Sequence, residues 1–264
     1  MDLKLNGKLA LVTGSTSGIG EATAKALAAE GCRVIVNGRS QKSVDGALGR
    51  LGEGDFHGHP ADVSTADGCT DLINAANKLG RVDILVNNAG IFAPGDFAKI
   101  PDGEWMRFYE VNVMSGIRMS RGLVGPMKDA GWGRIIFVSS ESGQNIPVEM
   151  IHYGMTKTAQ LAISRGLAKD CKGTGVTVNS VQPGPTWSPG VEEFVEQMAE
   201  QDTGGDVQAA KDQFFRDVRP GSLIQRFSTC EEVAGLITYL CGELAGSTTG
   251  AAVKCDGGIV DTVG

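Results

Sequence analysis

Short, nearly continuous apolar runs alternate along this chain with longer segments whose apolar residues recur every three or four positions. The runs are KLALVT (8–13), CRVIVN (32–37), DFHGHPAD (55–62), VDILVNN (82–88), RIIFVSS (134–140), GVTVNSVQP (175–183) and AAVKCD (251–256). Rich in Val and Ile and showing little alternation, they read as strands covered on both faces of a parallel sheet. Helix-length segments separate them. In residues 21–31, Ala24, Leu27 and Ala28 fall at helical spacing and Gly31 stops the pattern. Thr229 with Glu232 is the sequence signature of a capping box before VAGLITYLC. Strand and helix repeated in this way predict a doubly wound α/β sheet. No repeat, low-complexity tract or linker breaks the chain, so residues 1–264 are read as one domain.

One connection is long. Between Pro183 and Thr229 the pattern predicts two helices, one with Val191, Phe194, Val195 and Met198 along a stripe, the other with Val207, Ala210, Phe214 and Val218. Gly204-Gly205 separates them and Pro220-Gly221 closes the segment. Residues 185–228 are therefore expected to form either a substrate lid or a helical hairpin packed permanently on the body.

Composition narrows the function. Acidic residues (31) outnumber basic ones (24), so the basic footprint of a nucleic-acid binder is absent. No run approaches the length of a membrane helix, and MDLKLNGKLALVTG lacks the apolar core of a signal peptide. The cysteines, Cys32, Cys69, Cys171, Cys230, Cys241 and Cys255, are scattered without a C-x-x-C pair, which suggests a reducing compartment. A cytoplasmic protein is the expectation. His57 and His59 make an H-x-H pair with no evident third ligand, so no metal site is expected. His152 is read as structural or at a pocket rim; Arg219 and Arg226 as loop anchors or surface pairs, with an anionic substrate the alternative.

The first strand runs directly into TGSTSGIG (13–20), followed by a helix pattern. Glycines at 14, 18 and 20 permit a tight turn and close backbone approach. The N–H groups opening the next helix can hold a pyrophosphate. Further on, YGMTK (153–157) lies within a segment, 151–170, that reads as a helix. Tyr153 and Lys157, four apart, then share one face.

TGSTSGIG, NNAG (87–90), VNV (111–113), SS (139–140), YGMTK (153–157), NSVQPG (179–184) and CDGG (255–258) resemble, in order and spacing, the motifs of the classical short-chain dehydrogenases/reductases. The resemblance spans residues 13–188 and the CDGG ending. It implies a single-domain Rossmann fold with a seven-stranded parallel sheet in the order 3-2-1-4-5-6-7, flanked by helices. It also implies an NAD(P)-dependent oxidoreductase acting on an alcohol or a carbonyl. Dinucleotide contacts are expected from Gly14, Ser15, Thr16, Ser17, Gly18, Ile19 and Gly20, from Asp62 and Val63 at the adenine, from Asn88, Ala89 and Gly90 at the adenine ribose, and from Tyr153 and Lys157, the lysine holding the nicotinamide ribose hydroxyls. Asn87 is expected to brace the sheet. Thr186 and Ser188 match the segment that meets the nicotinamide carboxamide, with Ser where relatives commonly carry Thr.

The resemblance assigns catalysis to Ser140, Tyr153, Lys157 and Asn112. A phenol ordinarily ionises near pH ~10. A neighbouring ammonium would lower that value and let Tyr153 exchange a proton with the reacting oxygen. Ser140 would hydrogen-bond that oxygen, with its neighbour Ser139 on the other strand face. Asn112 would place a proton-relaying water, hold a helix kink through backbone bonds, or both. Gly38 stands where an acid would favour NAD, and Arg39 follows it, which favours NADP; Arg39 stacked on the adenine of NAD is the alternative. A second basic residue common in NADP-using relatives is replaced by Ser17. The substrate pocket is expected to be walled by Ser140, Ile146, Pro147, Met150, Tyr153, Trp187 and the apolar stripe of 185–228. The partner is a small alcohol or carbonyl compound, with neither nucleic acid nor membrane involved, and the resemblance suggests a homotetramer or homodimer. Two other readings stay open: a non-catalytic NADP-binding regulator, and a dehydratase or epimerase on the same scaffold.

Overall fold

The computed structural model of the chain describes residues 1–263. Its strands are β1 (Leu9–Val12), β2 (Arg33–Gly38), β3 (Asp55–Pro60), β4 (Ile84–Asn87), β5 (Gly133–Val138), β6 (Val176–Pro183), β7 (Thr186–Trp187), β8 (Ser228–Thr229) and β9 (Ala252–Cys255). Its helices are α1 (Gly18–Ala29), α2 (Gln41–Leu51), α3 (Ala66–Leu79), α4 (Asp102–Tyr109), α5 (Ser115–Asp129), α6 (Ile151–Asp170), α7 (Pro189–Asp202), α8 (Val207–Gln213) and α9 (Cys230–Cys241). The main sheet is parallel throughout, in the order β3-β2-β1-β4-β5-β6-β9. This is the expected 3-2-1-4-5-6-7 arrangement, with β9 as the seventh strand because the two-residue β7 and β8 intervene.

Alternate residues of each strand feed opposite faces. Ala10, Val12, Val34, Val36 and Val86 pack beneath α1, α2 and α9. Leu9, Leu11, Ile35, Leu85 and Phe137 pack beneath α3 and α5, with α6 alongside. Every residue of β1, β4, β5 and β6 is buried. The expectation of burial on both faces fails at β3 and β9, which are exposed or half-buried. They are the sheet's edges, each with a neighbour on one side only, so polar residues are tolerated there. His59 accordingly sits at the surface, its Nε2 2.8 Å from Asp71 Oδ2.

The capping box forms as read: Thr229 Oγ1 accepts from the Glu232 backbone N–H at 3.1 Å, and Glu232 Oε2 accepts from the Thr229 N–H at 2.8 Å. The pattern places α1 too late. It begins at Gly18, so the glycine loop itself supplies the first turn.

Residues 184–228 form a hairpin of α7 and α8, and α8 continues as a π turn, Phe214–Val218. The hairpin has its own core of Val195, Ala199, Ala210, Phe214, Phe215 and Phe227. Its two ends are joined by the parallel pairing of β7 with β8.

Candidate active site

The sheet order reverses between β1 and β4, and beyond the carboxyl ends of these strands a crevice opens, the place where α/β sheets bind ligands. Its floor is the loop after β1. Gly14 has φ +61°, and a Cβ there would sit 2.9 Å from Ala89 Cα. A Cβ on Gly20 would strike Asn88 Nδ2 and lie 2.5 Å from Gly14 O. Asn88 ties the loops together by donating from Nδ2 to Thr13 O (3.0 Å) and Gly14 O (2.9 Å). The loop thus approaches closely enough that side chains are excluded, leaving a shallow cradle at the amino end of α1. Ser17 is the N-cap and makes no side-chain cap bond, so its hydroxyl and the first N–H groups of the helix are free to take an anion. A pyrophosphate-bearing dinucleotide fits this donor set.

Not all seven residues of the loop face the crevice. Ser15 is fully buried; its Oγ donates to Val12 O at 2.7 Å and accepts from Asn37 N–H at 2.9 Å, and its own N–H donates to Asn37 O. Those bonds brace β1 against β2. Thr16 is half-buried and lies against Gly38, while Ile19 lines the crevice. A Cβ at residue 38 would meet Thr16 Cγ2 at 2.5 Å and Ser43 Oγ at 2.8 Å. An acid there would have to displace both side chains. Arg39, next in the chain, is exposed and forms no salt bridge among the described residues. Arg50 also reaches the loop, donating to Thr16 O at 2.8 Å while paired with Glu21. No motif marks it, because its place follows from how α2 packs.

On the adenine side, Asp62 is exposed, its Oδ1 accepting from Ser64 N–H at 3.0 Å, and Val63 is buried beside it. Ala89 N–H donates to Thr13 Oγ1 at 3.1 Å. Gly90 faces Asn112 and Lys157, with an added Cβ 3.4 Å from Asn112 Oδ1 and 3.6 Å from Lys157 Nζ. Asn87 braces the interior as expected, donating to Ser120 Oγ at 3.0 Å. Across the crevice, Thr186 is buried and Ser188 caps α7. Ser188 Cβ lies 3.3 Å from where Gly18 would carry a Cβ, so the start of the hairpin sits over the glycine loop.

Ser140, Tyr153 and Lys157 line one cleft of about 720 Å³ that joins this crevice, together with Asn88, Gly90, Ser188 and the hairpin. The 3-10 turn after β5 (Glu141–Gly143) holds Ser140, whose Oγ accepts from Ser142 N–H at 3.1 Å. Its own O–H remains to donate, and it lies close enough to the Tyr153 phenol to favour that group's ionised form. Ser139 is turned away, donating to Lys157 O at 2.8 Å. Lys157 Nζ lies 5.5 Å from the Tyr153 ring centroid, 2.9 Å from Val138 O and 3.3 Å from Gln160 Oε1.

Burial dominates the electrostatics of the pair. Burial pushes the Tyr153 phenol up to about 12, opposed by the Ser140 hydrogen bond and the Arg219 charge. Burial pushes Lys157 down to about 7. The dry wall that would strengthen the ammonium's pull on the phenol also penalises the ammonium itself. The pair is brought together, and desolvation opposes the charged form of both partners.

Asn112 is fully buried in a π turn, Glu110–Met114, between α4 and α5. Its side chain grips the loop after β4: Oδ1 accepts from Ile91 N–H at 2.8 Å, and Nδ2 donates to Ile91 O at 2.9 Å and Thr156 Oγ1 at 3.0 Å. The structural half of the expectation is present. Its backbone carbonyl takes a hydrogen bond from Gln160 Nε2 at 2.6 Å. Gln160 therefore bridges Lys157 and Asn112. The sequence reading missed it, although it stands seven residues after Tyr153 and three after Lys157, on the same helical face.

The expected substrate wall is partly moved. Met150, Val191, Phe194, Met198 and Phe214 line the cleft. Ile146 does not: it is exposed and covers the backbone of Gly154. Nor does Trp187, whose ring packs on Phe227 (5.3 Å between centroids) with Lys211 Nζ 3.6 Å above it. Thr186 and Trp187 alternate on a strand, so when Thr186 faces the body its neighbour enters the hairpin core. His152 is structural, buried against Phe108 at 4.2 Å. Arg219 reaches into the cleft wall, and Arg226 pairs with Glu232 at the surface.

A family model described as short chain dehydrogenase matches residues 8–199. An uncharacterized oxidoreductase of Bacillus subtilis (strain 168), YvrD, is 48% identical over 261 residues, covering 98% of this chain and 99% of that protein. A D-beta-hydroxybutyrate dehydrogenase of Rhizobium meliloti (strain 1021) is 35% identical over 95% of this chain and 98% of its own. The crystal structure of L-sorbose reductase from Gluconobacter frateurii, complexed with NADPH and L-sorbose, superimposes with a TM-score of 0.93 at 31% identity, covering 100% of both chains.

Proposed function

Because this chain belongs to the short-chain dehydrogenase family of oxidoreductases, we propose that it interconverts an alcohol with a ketone or aldehyde, using NADP(H) in preference to NAD(H). The observation that carries the reading is the convergence of Ser140, Tyr153 and Lys157 on one cleft whose far end is the glycine cradle. Relatives with dehydrogenase and reductase names, one of known structure with NADPH, support it.

The cradle at Gly14–Gly20 and the amino end of α1 would hold the pyrophosphate. Asp62, Val63, Asn88 and Ala89 would flank the adenosine, and Thr186 and Ser188 the nicotinamide. Arg39 would grip a 2′-phosphate, supported by its exposure, its lack of a salt bridge and the space denied to an acid at residue 38. Bound NADPH supplies the hydride that adds to the carbonyl carbon. As charge builds on the carbonyl oxygen, Tyr153 gives it the phenolic proton while the Ser140 hydroxyl hydrogen-bonds it. In the reverse direction Tyr153 accepts the proton. Lys157, held by Val138 O and Gln160, stands beside the phenol to stabilise its ionised form. Its value near 7 makes it able to exchange a proton at neutral pH. The hairpin of α7 and α8, with a core of its own and its ends joined by β7 and β8, acts as the lid over the nicotinamide end. A cytoplasmic homotetramer or homodimer belongs to the same reading.

The test is NADPH against NADH binding by cofactor fluorescence, followed by a panel of ketones and aldehydes with the better cofactor. Oxidation of NADPH by at least one ketone is expected. Tight binding without turnover across the panel would sink the catalytic reading and favour a regulatory or isomerising role.

A further inference from the structure

The cleft wall facing Tyr153 carries an unusual set of charges. Arg219 leaves the π turn at the end of α8 with its side chain only 12% exposed. Its Nη1 lies 3.1 Å from Glu149 Oε1 and also donates to Val218 O at 2.9 Å, and its Nε lies 3.5 Å from Glu141 Oε1. Glu141 directly follows Ser140 and is buried. Glu149, Asp217 and Glu141 all line the cleft, against Arg219 and Lys157 as the cationic side chains there. Asp217 is exposed and paired outward with Arg216. Lys157 is held by two acceptor oxygens and pushed toward neutrality.

Two of the guanidinium's three nitrogens are therefore already engaged with carboxylates. A substrate carboxylate that took over either contact would have to displace Glu149 or Glu141. Displacing either leaves a carboxylate beside the cleft without its partner, and for Glu141 that carboxylate is buried, a costly arrangement. A substrate carboxylate that leaves both pairs intact lies against like charge. If Glu141 is protonated, the direction in which burial drives it, Arg219 still has Glu149. The remaining wall is apolar: Phe92, Pro94, Met150, Val191, Phe194 and Met198.

We propose that the cleft selects uncharged carbonyl compounds with an apolar body and excludes those bearing a carboxylate near the carbonyl. The reaction is balanced as ketone, NADPH and a proton giving alcohol and NADP⁺: hydride adds to the carbonyl carbon and the Tyr153 proton, replaced from solvent, goes to the oxygen. This inference rests on the catalytic reading above. It goes further in setting this chain apart from relatives whose names denote an acidic substrate.

The test uses two matched pairs, ethyl acetoacetate with acetoacetate and methyl levulinate with levulinate. Each is assayed for NADPH oxidation and, separately, for binding to the NADP⁺-loaded protein by calorimetry. We expect kcat/KM for each ester to exceed that for its acid by about 100-fold or more. Glu149→Gln, which releases part of Arg219, should narrow the gap about tenfold by improving the acid. Arg219→Gln should not harm the acid selectively. Acids used as well as esters, or a loss confined to the acids in Arg219→Gln, would overturn the proposal, because Arg219 would then be the substrate's partner. Esters that bind while acids do not, with neither turned over, would support the charge selection and overturn only the catalytic reading. Esters that neither bind nor react overturn the proposal as well.

Discussion

Gln160 donates to the Asn112 carbonyl at 2.6 Å from one end of its amide and presents the other to Lys157 Nζ at 3.3 Å. A side-chain amide thus spans the gap between the π turn and the lysine and holds the Lys157 amine in place.

Replacing Gln160 with Leu keeps the volume and removes both bonds. The Asn112 carbonyl loses its amide donor, and Lys157 loses an acceptor that favours its charged form. We expect kcat to fall about tenfold with NADPH affinity little changed. The pH–rate limb belonging to Lys157 should move to lower pH. A uniform loss with no shift of that limb would mean that Gln160 is only packing, and rescue by Gln160→Glu of the limb's position would point back to its contact with the ammonium.

In the proposed reaction Tyr153 delivers the proton to the substrate oxygen. Tyr153→Phe should lower turnover by about a thousandfold or more while leaving the NADPH dissociation constant within about twofold. The phenyl ring preserves the edge contact with Phe92, 6.4 Å between centroids, so the fold should survive. A Phe variant with substantial activity would end the mechanism.

Arg39 is exposed and unpaired by salt bridges among the described residues, so its removal should cost the fold little. Arg39→Ala is expected to weaken NADPH by about tenfold or more, the worth of a charge-assisted bidentate contact, and to leave NADH almost unchanged. The NADPH affinity of the unaltered protein should also fall more steeply with salt than that of NADH. Equal effects on both cofactors would return Arg39 to the alternative of stacking on the adenine.

The strands and the helix bearing Tyr153 and Lys157 were legible because apolar runs and i,i+4 spacing are local properties, whereas the strand order came only from the resemblance of the motifs. The helix start at Gly18 was missed since a glycine-rich turn carries no apolar period. The misplacement of Trp187 shows a different limit: strand alternation turns it from the cleft into Phe227, but a two-residue strand pinned by β8 leaves no pattern to read. Ile146 was placed by its proximity in sequence to Ser140, yet its loop folds it over Gly154. The Arg219 cluster joins residues 141, 149 and 219, so it exists only once α8 ends beside β5. Least legible were the proton affinities. Sequence shows that an amine and a phenol are neighbours, but only burial decides which of them is charged.

That burial has a measurable consequence. Lys157 is 4% exposed and its folded value lies near 7, against an ordinary 10.5. Between these values the unfolded chain binds more protons than the folded one, so this residue makes stability rise with pH from about 7 upward. The slope is at most about 1.4 kcal/mol per pH unit. The buried thiols oppose it at higher pH: Cys32 and Cys69 are raised to about 12 and about 11, so above their ordinary 9.0 the folded state holds the extra protons. The clean window is therefore pH 7 to 9, and the clean measurement is a difference. Lys157→Met removes the amine and keeps the length of the side chain. Its thermal midpoint relative to the unaltered protein should be highest near pH 7 and fall steadily toward pH 9, as the unaltered protein gains stability that the variant does not. Differential scanning calorimetry of both proteins in matched buffers reads it directly. A difference that stays flat across the window would place Lys157 in the folded protein as a fully charged ammonium, and would restore to it the acidifying role that the sequence assigned.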